Sequence, residues 1–145
     1  MTVLTPPQSG AAMAVLPRTA PGGAPVLILG GGPIGLVGAL LLARRGIACT
    51  LVDARPVADL QRDRRLLALS RGTLNVLEPL IGARFAPMSD ILRVHVSSRG
   101  QFGSAELGAA DFGGLPVGAT VWYADLVGAL AGAAALADGV RIHDG

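Results

Sequence analysis

Val26 to Leu29 (VLIL) is a short β-prone run, and three consecutive glycines and a proline, Gly30 to Pro33, follow it directly. From Ile34 to Ala43 the chain is apolar and uncharged, as a buried helix would be, and Gly46 supplies a stop signal. Ala48 to Asp53 (ACTLVD) has a strand composition, so the three segments read as β-α-β, the unit of a parallel sheet.

Arg55 to Arg65 is polar and rich in arginine. Beyond it Leu66, Leu69, Thr73, Val76, Leu77 and Leu80 recur at helical spacing; Ser70 is a candidate cap, and Pro79 should end or kink the helix. Ile91 to Ser98 alternates with a period of two and predicts a strand, which Arg99-Gly100-Gln101 turns back as a hairpin into Phe102 to Leu107. Val117 to Tyr123 predicts a further strand and Asp125 to Leu136 a helix. Asp138-Gly139 closes that helix, and Val140 to His143 begins another strand.

Residues 1 to 24 hold four of the ten prolines, one charge (Arg18) and no sustained period, so a flexible tail is expected there. Pro6, Pro7 and Pro17 break any apolar centre, which argues against a secretory signal. The uncharged window from Ala24 to Ala43 is long enough to span a bilayer, and Gly35, Ala39 and Ala43 place small residues four apart. Gly30 to Pro33 interrupt it where a spanning helix needs continuous backbone hydrogen bonds, so strand, turn and helix fit better.

A chain of 145 residues, 51% hydrophobic and 15% charged, is long enough for one globular domain with a core. The net charge is only +2 and aromatics make up 3%, too little basic excess and too few stacking rings for a nucleic-acid partner. Cys49 is the lone cysteine and lies in an apolar strand, which predicts a buried thiol in a reducing compartment. The two histidines, His95 and His143, are far apart, so no zinc site is expected, and both read as strand residues rather than catalytic bases. No catalytic residue is assigned.

The chemistry resides in the first turn. Gly30, Gly32 and Gly35 form Gly-x-Gly-x-x-Gly between strand and helix. Gly30 allows the tight exit, Gly32 the approach of a pyrophosphate, and Gly35 close packing of the helix on the sheet. With Pro33 and Ile34 they open a helix whose free N–H groups and positive dipole end suit a diphosphate. Asp53 ends the second strand about 20 residues on, where a carboxylate can accept from both ribose hydroxyls and would repel a 2′-phosphate. The ligand is therefore FAD or NAD rather than NADP; the alternative for Asp53 is an ordinary turn former. Arg55 is a candidate for the adenosine end.

The string VLILGGGPIGLVGALLLARRGIACTLVDARP, followed by Asp63-Arg64-Arg65-Leu66-Leu67-Ala68-Leu69-Ser70, resembles the N-terminal part of the FAD-dependent aromatic hydroxylases of ubiquinone biosynthesis, the 2-octaprenyl-6-methoxyphenol hydroxylase type. The segments Ile91 to Gly103 and Val121 to Leu130, with Tyr123-x-Asp125-Leu126, look like the same family, so the resemblance covers about residues 25–145. It implies that Arg65 lies near the FAD phosphates or ribose. Arg62, Arg64, Arg65 and Arg71 surround Asp63 in sequence, however, and any of the four could serve, or the cluster could be a solvated face. Trp122 stands where relatives commonly place a polar residue.

The fold class expected is α/β: a Rossmann-like FAD-binding βαβ domain of the glutathione-reductase/p-hydroxybenzoate-hydroxylase type, incomplete, with residues 91–123 a strand excursion toward the substrate domain. The resemblance places the family's Asp-Gly motif just beyond this stretch and its Gly-Asp motif later, so residues 25–145 are expected to be the N-terminal part of the FAD-binding domain, holding the ADP half of the site. The function implied is hydroxylation of a polyprenylated phenol, with FAD as cofactor and NAD(P)H as reductant. The enzyme would be cytoplasmic, peripheral to the inner membrane, and associated as a homo-oligomer or in a ubiquinone-biosynthesis complex. Another FAD or NAD oxidoreductase, or a noncatalytic nucleotide-binding fragment, are the alternatives.

Overall fold

The computed structural model describes residues 26–82, 87–100 and 102–145; the expected tail at 1–24 and Gln101 of the expected hairpin turn lie outside these. In chain order the elements are β1 (Val26–Leu29), α1 (Pro33–Ala43), β2 (Cys49–Asp53), α2 (Val57–Leu60), β3 (Leu66–Ser70), α3 (Arg71–Ile81), β4 (Ser89–Ile91), β5 (Arg93–Ser97), β6 (Ser104–Gly108), β7 (Gly118–Trp122), α4 (Tyr123–Leu136) and β8 (Val140–Asp144).

β1, β2 and β8 form a parallel sheet with β2 in the centre, Val26 opposite Cys49 and Cys49 opposite Val140. The crossover from β1 to β2 is α1, as the β-α-β pattern requires. One face of this sheet is covered. Cys49 and Leu51 are buried there, Val26, Ile28, Val140 and Ile142 pack beside them, and α1 and α4 close over the layer with Leu36, Ala39, Val127, Leu130 and Ala134 fully buried. Among the described residues the other face is open: Leu27, Leu29 and Val52 point to solvent, and β1 pairs on one side only. Burying one face of a strand and exposing the other follows from the two-residue period of its side chains. No helix of the described residues is long and apolar enough to cross a membrane.

A second sheet, β3-β7-β4, is antiparallel, and β5 pairs with β6 as a hairpin. Two expectations are corrected here. The helix predicted from Leu66 begins only at Arg71, and Leu66–Ser70 is a strand. Leu67 and Leu69 pack against the core while Leu66, Ala68 and Ser70 face out, a two-residue period that the chance spacing of Leu66 and Leu69 disguised. Ser70 does cap α3, its Oγ accepting from the Thr73 N–H at 3.2 Å, but the buried face carries Leu74 and Leu77, leaving Thr73 and Val76 exposed.

The run from Ile91 to Ser98 is likewise two strands. Ile91 belongs to β4 and joins β7, its carbonyl accepting from Val117 at 2.9 Å, whereas Arg93 starts β5 in the separate hairpin. Leu92 is exposed at the break. The remaining expected helices and strands fall within two residues of their expected bounds, and α2 (Val57–Leu60) lies in the arginine-rich segment for which the sequence predicted no element. Pro79 sits in the last turn of α3, two residues before its end.

Candidate functional site

The parallel ladder continues past β1 through the Gly30 N–H, which donates to the Val52 carbonyl at 2.8 Å. Gly30 then turns with φ +110°, a conformation that side chains with a Cβ rarely adopt. Gly32 is the N-cap of α1 and Pro33 its first residue; the first intrahelical bond runs from the Leu36 N–H to the Gly32 carbonyl at 3.0 Å. The amides of Ile34 and Gly35 precede that bond, so they stand free for an anion at the positive end of the helix. Gly35 lies against the turn: a Cβ there would come within 1.9 Å of the Gly30 oxygen. Among the described residues the only neighbour a Gly32 Cβ would meet is the Tyr123 hydroxyl, at 3.5 Å, so the approach to this backbone is open.

Asp53, at the end of β2, faces this turn with a side chain only 10% exposed. Its Oδ2 accepts from the Gly31 N–H at 2.7 Å and its Oδ1 from the Arg55 N–H at 2.8 Å, with the Arg55 guanidinium 3.6 Å away. These two amides, aided by the Arg55 charge, hold the Asp53 carboxyl below its ordinary value. Each oxygen keeps a lone pair for a further donor, which is what a ribose diol offers.

Gly30, Gly32, Pro33, Ile34, Gly35, Asp53 and Arg55 are thus brought together in space. Arg65, just before β3, lies against Tyr123, whose hydroxyl stands beside Gly32. Its guanidinium lies over the Tyr123 ring, 4.6 Å from the centroid, and is paired with Asp63 through Nε and Nη2. The pair lowers the Asp63 carboxyl and raises Arg65. The other arginines divide differently: Arg62 pairs with Asp59 at 2.9 Å, and Arg71 is held along α3 by Asn75 and Glu78. Arg71 is therefore not part of a cluster around Asp63.

Two residues escaped the sequence reading. Gly31 was passed over between the motif glycines, yet a Cβ there would meet the Asp53 Cβ at 3.1 Å, and the run of three glycines was its signal. Tyr123 stands in the sequence as the end of a strand and within the Tyr123-x-Asp125-Leu126 segment of the resemblance, without a role at the site. A groove of about 440 Å³ lies beside the Asp63–Arg65 pair, between Arg62, Asp63 and Arg64 on one wall and Trp122, Ala124 and Asp125 on the other. Cys49 is buried, its thiol pushed up by burial, and no cluster of metal ligands occurs among the described residues.

Residues 23–92 match the sequence model of the family described as the FAD binding domain. Over 49 residues the chain is 51% identical to pentachlorophenol 4-monooxygenase of Sphingobium chlorophenolicum, an alignment covering 32% of this chain and 9% of that protein. Among solved structures it resembles AlpK, with 25% identity and a TM-score of 0.60, and CabE, an aromatic hydroxylase from angucycline biosynthesis, with 24% and 0.58. Each likeness covers 83% of this chain and 23% of the other, and the likeness to CabE is one of fold. The chain thus spans less than a tenth of the curated relative it matches. The fold is the α/β fold of these structures, with open sheets, and the match to the FAD binding domain model supports FAD as the cofactor. The open backbone at Gly32, the free amides of α1 and the acceptor at Asp53 fit the ADP portion of that cofactor.

Proposed function

We propose that this chain provides the ADP-binding half of the FAD site of an FAD-dependent aromatic monooxygenase. The observation that carries the reading is the Gly31–Asp53 hydrogen bond beside the open Gly32 backbone, within a segment that matches an FAD-binding family. In this reading Asp53 accepts from the ribose hydroxyls, and the amides of Ile34 and Gly35 bind the pyrophosphate at the start of α1. Arg55 stays beside the adenosine end, and Arg65, fixed by Asp63, provides positive charge for the phosphates.

When bound, FAD supplies the redox chemistry: NAD(P)H gives two electrons, one atom of O₂ enters a phenol ring, and the other leaves as water. The chain's own task is binding and orientation, which is why it needs no acid–base pair. A phenolic substrate is supported by the similarity to a monooxygenase whose name specifies a chlorinated phenol. The finer reading is a polyprenylated phenol of ubiquinone-type biosynthesis, met at a membrane surface; it is supported by the Asp63 to Ser70 segment and its likeness to that family.

Titration of the chain with FAD, followed by quenching of flavin fluorescence, tests the cofactor site; no saturable binding of FAD or ADP would sink it. Oxygen uptake and NAD(P)H oxidation by the FAD-loaded protein, compared with a simple phenol and a prenylated phenol, test the activity. Stimulation by the simple phenol alone would refute the prenylated substrate.

A further inference from the structure

Tyr123 joins the two sheets at the cofactor turn. Its backbone N–H donates to the Arg65 carbonyl at 2.8 Å, prolonging the antiparallel ladder beyond the Leu66–Trp122 pair, so residues 58 positions apart become cross-strand neighbours. This ladder places the ring under the Arg65 guanidinium, 4.6 Å from its centroid. The far end of the same ring reaches the glycine turn, with the hydroxyl oxygen 3.5 Å from where a Gly32 Cβ would stand. Among the described residues no protein group hydrogen-bonds that hydroxyl, and Arg65 uses only Nε and Nη2 on Asp63, leaving Nη1 free.

A partly buried phenol beside the half-buried Gly32 backbone of an anion-binding turn, with an uncommitted O–H, is a donor placed for an acceptor that the chain itself does not supply. An arginine held in a fixed orientation by a carboxylate and a ring face presents its remaining N–H groups in one direction. We propose that Tyr123 is a further cofactor-binding residue, its hydroxyl donating to a pyrophosphate oxygen at Gly32 while its ring positions Arg65 for the same diphosphate. This rests on the reading of the turn as the FAD site, and it assigns that site a residue from α4, outside the glycine motif and β2.

The test uses the 145-residue chain with FAD, ADP and adenosine as probes. Tyr123→Phe keeps the ring and removes only the donor; it should weaken FAD and ADP by about 10-fold, as loss of a hydrogen bond to a charged acceptor does, and leave adenosine unchanged. Tyr123→Leu removes the ring as well and should weaken both diphosphates further, again sparing adenosine. Thermal melting of the ligand-free variants reports whether they fold, and Tyr123→Phe should melt with the parent. If Tyr123→Phe binds FAD and ADP as tightly as the parent while Asp53→Asn weakens both, the cofactor site stands and the role of Tyr123 is overturned. If adenosine binding falls as much as ADP binding in Tyr123→Phe, the residue is structural and the proposal also fails. If the parent chain binds none of the three probes, the reading of the turn itself falls.

Discussion

Gly31 and Asp53 are 22 residues apart in sequence and 2.7 Å apart in space, joined by a hydrogen bond from the glycine N–H to Oδ2. The bond ties the turn after β1 to the end of β2 and aims the carboxylate at the turn. Asparagine at position 53 preserves the size but replaces one acceptor oxygen with a donor. Asp53→Asn is therefore expected to weaken FAD by about 10-fold or more, measured by flavin fluorescence.

Gly32 and Gly35 belong to one motif yet should fail differently. A Cβ on Gly35 would strike the Gly30 oxygen at 1.9 Å, a contact that only a shift of helix or turn relieves. Gly35→Ala should cost about 2 kcal/mol or more of stability in urea unfolding. Gly32 has ordinary backbone angles and a Cβ there would make only an ordinary contact, with the Tyr123 hydroxyl at 3.5 Å, so Gly32→Ala should cost no more than about 1 kcal/mol and yet block FAD binding.

Acid should loosen the site from both sheets. Asp53 and Asp63 have native carboxyls below the ordinary value of about 3.9, so each stabilises the fold fully above roughly pH 5 and loses its effect as pH falls through the lowered value. Denaturant midpoints measured between pH 6 and 3 should fall below pH 4, and Asp63→Asn should flatten that decline. An unchanged slope in Asp63→Asn would remove Asp63 from the account.

Cys49 offers an internal clock for opening of the parallel sheet. It is 2% exposed, and burial pushes its thiol up, so both access and thiolate are withheld in the native state. Ellman's reagent should react with the native chain only as fast as it opens, and at full speed in denaturant.

The glycine turn, α1, β2 and Asp53 were legible because their signals are local: a strand, a turn and a carboxylate within 28 residues, from Val26 to Asp53. What the sequence hid depends on pairing across the chain. Leu66 and Leu69 satisfy a helical spacing while Leu67 and Leu69 satisfy a strand period, and only the partner strand β7 decides between them. Ile91 and Arg93 alternate as one strand because nothing local records that their partners are different sheets. Tyr123 enters the site only because β3 and β7 bring it opposite Arg65. Its neighbours in sequence say nothing of Gly32.

β1 carries Leu27 and Leu29, 62% and 78% exposed, on a strand whose second ladder side is vacant among the described residues. Such a rim is a template: any extended segment that docks there gains main-chain bonds and covers two leucines at once. Light scattering of the purified chain should therefore rise steeply with concentration, and Leu29→Lys, which places a like charge on every copy, should suppress the growth without lowering the melting temperature.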